Sequence, residues 1–182
     1  DVQNVEANDE LLALEKTSIS VEYLAMNCEK KPFNDPKVRQ AINYALNQQE
    51  IIDVVLEGRG QVANSVMNVN IPGYSEEITG YSQDLEKAKE LLAEAGWDSG
   101  KTLKMVVTSA RESMAAVIQQ NLAEAGLNIE VQTVELATMF SGLQDGTYDL
   151  GICGSTAMDY PLWMAGYYDN KNATYCQITD TK

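Results

Sequence analysis

Apolar residues change their spacing several times along this chain, and each change marks an element. Over residues 19–26 the period is two, with Ile19, Val21, Tyr23 and Ala25 on one face, which predicts a strand with Asn27 and Cys28 just past its end. Val38, Ala41, Ile42, Ala45 and Leu46 then recur at helical spacing behind Asp35, which can accept from free N–H groups, and Pro36, which suits the first helical position. Asn47 opens a second helix with Glu50 as its capping partner, and Gly58 is placed to end it in a left-handed conformation. A short polar helix is also expected over residues 9–14.

An irregular stretch follows over residues 58–83, punctuated by Pro72, Gly73 and Gly80, with the composition of a cleft-rim or surface loop. Its Gly58-Arg59-Gly60 lacks the third glycine and the directly following helix of a phosphate loop, so it reads as a turn. Asp84 caps a third helix with Leu85, Ala88, Leu91, Leu92 and Ala95 as its apolar stripe, stopped by Gly96. Beyond a turn at Asp98, Ser99 and Gly100, strands are predicted over 103–108, 128–135 and 148–153, with helices over 112–125 and 136–144 between them. A β-α-β-α-β run of this kind implies parallel strands with right-handed crossovers. The fold class is therefore α/β, a mostly parallel sheet flanked by helices, and residues 1–182 read as one domain.

Composition narrows the chemistry. In 182 residues, 27 acidic against 13 basic side chains give a formal charge of -14, which opposes binding to nucleic acid or an anionic membrane. No apolar run is long enough to span a bilayer, so no direct membrane insertion is expected. Histidine is absent, which removes Ser-His and Cys-His catalysis and the usual nitrogen ligand of zinc. Cys28, Cys153 and Cys176 form no C-x-x-C pair, so one bridge at most can form. A non-enzyme with no cofactor and no metal site is expected.

The stretch Pro32-Phe33-Asn34-Asp35-Pro36-Lys37-Val38-Arg39-Gln40-Ala41 resembles a motif of the peptide/nickel family of solute-binding proteins that serve ABC importers. Tyr23 to Asn27, Asp84 to Trp97, Gly146 to Leu150 and Asp159-Tyr160-Pro161 resemble the same family in the same order. The resemblance implies one lobe of a type II periplasmic-binding-protein-like fold, the second lobe of a two-lobed receptor that closes around its ligand. It further implies an oligopeptide or dipeptide ligand, a membrane permease as partner, a monomer, and an extracytoplasmic place in the periplasm or as a lipoprotein. The polar, acidic first ten residues are unlike a signal, so any export signal would lie upstream.

The resemblance places the capture of a ligand's ammonium group on Asp159, unless that carboxylate only caps the turn before Pro161. Tyr160, Thr156 and Met158 belong to the same segment beyond the last strand, where open α/β sheets gather ligands. Where relatives often carry an aromatic residue after the glycine of this motif, this chain has Ser155, so the ligand class stays open. Trp163 is either a compensating stacking surface or a core residue, and Asn172-Ala173-Thr174 matches a glycosylation pattern by chance. Asn27, Ser109 and Arg111 occupy candidate mouth positions at strand ends, with Arg111 suited to a ligand carboxylate; surface or capping roles compete for each. The alternatives are a receptor for a nickel chelate or an oligosaccharide, and the sensing lobe of a cytoplasmic transcriptional regulator.

Overall fold

A computed structural model describes residues 2–14, 16–65 and 67–156. The elements are α1 (Val2–Glu6), β1 (Ser20–Met26), α2 (Pro36–Ala45), α3 (Gln48–Val55), α4 (Leu85–Glu94), β2 (Thr102–Val107), α5 (Glu112–Glu124), β3 (Asn128–Thr133), α6 (Leu136–Asp145) and β4 (Leu150–Thr156). The helix expected over residues 9–14 is absent: Asp9 and Glu10 form a turn, residues 11–14 have no regular structure, and the short helix lies upstream at α1. Leu12 and Leu14 are both 80% exposed, so no packed face rewards helix formation there.

The signature motif explains itself as a fold element. Asp35 accepts the Lys37 N–H at 2.8 Å and Pro36 takes the first helical turn, so α2 starts where its cap and its proline put it. Phe33, 1% exposed, enters the main core, and Arg39 holds it by donating from Nη1 to the Phe33 carbonyl. Asn47 and Asp84 cap α3 and α4 through the backbone N–H groups of Glu50 and Lys87. Gly58, Gly96, Gly126 and Gly146 follow four of the helices with φ of 77, 66, 91 and 74°, the left-handed geometry that a side chain would strain.

The four strands form one sheet in the order β1-β4-β2-β3. β2 pairs in parallel with β3 and β4, while β1 runs antiparallel to β4. β3 is an edge strand, which accounts for its alternation of Ile129 and Val131 with Glu130 and Gln132. The larger core lies on one face, where Leu24, Leu103, Met105, Val107, Leu150 and Ile152 meet residues of α2, α4 and α5. On the other face Ala25, Val106 and Cys153 pack against Met139 and Leu143 of α6 and against Tyr148. Placing α5 and α6 on opposite faces lets the chain step from β2 to β3 and return past β2 to β4 with both crossovers right-handed.

Candidate functional site

The parallel strands β2, β3 and β4 share one carboxyl end, and the residues that gather there define the candidate site. Because β1 is antiparallel, it brings its amino end, Ser20 to Glu22, to that same mouth. The β1/β4 register sets Glu22 opposite Gly154. From the carboxyl end of β2, a turn at Ser109–Arg111 leads into α5 and carries Arg111 over the sheet.

Glu22 and Arg111 meet above Gly154. Arg111 donates from Nε to Glu22 Oε2 at 2.7 Å and from Nη2 to Glu22 Oε1 at 2.9 Å, a bidentate fork. Nη1 makes a long contact of 3.5 Å to Thr108 Oγ1. A Cβ on Gly154 would overlap both the Glu22 carboxylate and the Arg111 guanidinium, so the glycine is what lets the pair lie flat on β4. The hydrogen bonds to Glu22 raise the Arg111 pKa further above its ordinary value, against the opposing effect of partial burial. The carboxylate also offsets the cost of a cation at the amino end of α5, where the helix dipole is positive.

Asn27 is not at this mouth. Since β1 is antiparallel, the carboxyl end of β1 lies beside Leu150, where β4 begins, so Asn27 sits at the opposite edge of the sheet from Arg111. There it is 3% exposed, its Oδ1 accepts the Glu29 N–H at 3.1 Å, and its Nδ2 has no partner among the described residues. Ser109 and Arg111 are at the mouth as expected, but Arg111 is already engaged. The backbone of Thr156 ends β4 at the mouth. Met158, Asp159, Tyr160 and Trp163 lie outside the described residues.

Glu22 was not singled out from the sequence, and Gly154 was read only as the glycine that opens the segment beyond the last strand. Glu22 is the one charged residue in β1, a strand whose other residues are apolar or uncharged, which is a signal for a specific partner. A cleft of about 1040 Å³ is lined by Ser20, Glu22, Leu24 and Met26 of β1 together with Ile51 and Asn68. Asn68 anchors the irregular 58–83 stretch there by donating from Nδ2 to the Ser20 carbonyl at 3.1 Å. Among the described residues there is no cluster able to hold a metal ion, and no helix is long and apolar enough to cross a membrane.

A mixed α/β sheet with a polar mouth at its carboxyl end is the class of a ligand-binding lobe. The chain belongs to the bacterial extracellular solute-binding proteins, family 5, whose middle-region model matches residues 1–175. It is similar to the heme-binding protein A of Haemophilus influenzae, 34% identical over 161 residues, covering 85% of this chain and 29% of that protein. The dipeptide-binding protein of Escherichia coli is 31% identical over 163 residues, covering 86% and 30%. Among solved structures, the periplasmic binding protein DppA of Helicobacter pylori in complex with the peptide STSA superposes with a TM-score of 0.80 at 32% identity, covering 86% of this chain and 31% of that one. The chain thus spans under a third of the length of these relatives, all of which carry the name of binding proteins.

Proposed function

We propose that this chain is one lobe of an extracytoplasmic receptor that captures a solute, an oligopeptide or dipeptide, for an ABC importer. The single observation that carries the reading is the family match over residues 1–175, joined to a sheet whose parallel carboxyl ends gather Glu22, Ser109 and Arg111. In this reading the ligand lies between the mouth and a first lobe. Contacts made with both lobes favour a closed state, which the permease recognises. The segment that follows Thr156, with Met158, Asp159 and Tyr160, supplies the contacts from this side, and Asp159 takes the ligand's ammonium group.

The peptide class is supported by the H. pylori DppA complex and by the E. coli dipeptide-binding protein. A second reading, a non-peptide solute, is favoured by the similarity to heme-binding protein A. Native mass spectrometry of the full-length protein, purified without refolding, separates the two. Retained masses in the range of short peptides, confirmed by fragmentation, support the first reading; a retained non-peptide mass overturns it.

A further inference from the structure

We propose that Glu22 keeps the Arg111 guanidinium closed to anions, so that this lobe discriminates against ligands that present a carboxylate to it and accepts neutral or cationic ends. The inference rests on the reading that the mouth faces the solute, and it names Glu22 as a specificity-determining residue. An arginine fork at a binding mouth is the usual carboxylate receptor, because two parallel N–H groups match two oxygens. Here both N–H groups of one edge already face a carboxylate from the same chain, at 2.7 and 2.9 Å.

Three elements fix that arrangement independently of any ligand. The strand register places Glu22 across from Gly154, the turn at the start of α5 places Arg111, and the missing Cβ of Gly154 leaves the slot in which they meet. A ligand carboxylate would either have to displace Glu22 from the Nε/Nη2 edge or take the Nη1 side with Glu22 still beside it, and in both cases two negative charges share one guanidinium. An intramolecular partner is also present at an effective concentration that a dilute solute does not match. The remaining contact, from Nη1 to Thr108 Oγ1 at 3.5 Å, is too long to count as a strong bond, so it is Glu22 rather than Thr108 that decides the availability of Arg111.

The test uses the full-length protein and acetate as a bare carboxylate probe, followed by the side-chain Nε–Hε resonance of Arg111 in nitrogen-15 NMR. In the wild type an excess of acetate should leave this resonance in place, and in Glu22→Gln it should move and saturate. Saturable movement in the wild type overturns the proposal, a result that needs no variant to fold. So does a resonance that stays fixed in a folded Glu22→Gln protein. Calorimetry with trialanine and trialanine amide then reads selectivity: Glu22→Gln should improve binding of the free acid relative to the amide by about tenfold. If acetate behaves as expected but neither peptide binds any variant, the ion-pair proposal stands and the peptide reading of the mouth falls.

Discussion

Asn121 of α5 and Glu50 of α3 lie 71 residues apart in sequence and share a hydrogen bond of 2.8 Å, from Asn121 Nδ2 to Glu50 Oε2. Asn121 Oδ1 accepts the Asn47 N–H at 2.8 Å, and the Glu50 N–H donates to Asn47 Oδ1 at 3.1 Å. One buried amide, 2% exposed, thus completes the cap of α3 and ties it to α5. Asn121→Leu removes both bonds and leaves a backbone donor without its acceptor. Its expected cost is about 1 to 3 kcal/mol, read as a shift of the urea midpoint without a change of slope.

Phe33→Ala should be more severe. The ring is 1% exposed in the larger core, so its loss opens a cavity as well as removing apolar contact, at about 3 to 5 kcal/mol. Phe33→Leu, which keeps most of the volume, should recover more than half of the loss in the same denaturation series.

Asp159→Asn addresses the ligand. It keeps the side chain's shape and capping capacity while deleting its charge. In the full-length receptor, affinity for peptides with a free amino terminus should fall by about 2 to 5 kcal/mol if a desolvated pair is lost. N-acetylated peptides should barely distinguish wild type from variant in calorimetry. A variant that loses stability with unchanged peptide affinity would show that Asp159 is a turn cap.

The pH dependence follows from exposed carboxylates. A hydrogen bond from Lys37, at 3.0 Å, holds the Glu94 carboxyl below its ordinary pKa, and the hydroxyl and N–H of Thr147 do the same for Asp145. Both folded-state pKa values are depressed, so the stabilisation is fully present above the unfolded values, about 4. It is lost as pH falls through the folded ones. Lys37→Met should flatten the acid limb of a stability-against-pH curve. It should also return the Glu94 titration, followed by carboxyl NMR, towards the ordinary range.

Local signals made most of the fold legible. Asp35, Asn47 and Asp84 each cap the helix their chemistry announced, and Gly58, Gly96, Gly126 and Gly146 stop theirs. The three-strand parallel unit followed from the alternation of periods. What local pattern could not supply was direction: an alternating strand such as β1 looks the same whichever way it pairs. That is why Asn27 was expected at the mouth and lies at the far edge. The site was legible only in part for a related reason. Arg111 is conspicuous as a lone cation after a strand, but its partner Glu22 is 89 residues away, brought beside it by the pairing of β1 with β4.

The antiparallel setting of β1 has a mechanical consequence. Ser20 and Thr156, the first residue of β1 and the last of β4, are register partners, so the path into the sheet and the path out of it leave side by side. Tension between those two points would load the β1/β4 hydrogen bonds one after another, as in a zip, instead of all together in shear. The seven register pairs from Ser20↔Thr156 to Met26↔Leu150 would open in that sequence at low force, while the parallel β2/β3 pair stays outside the line of pull.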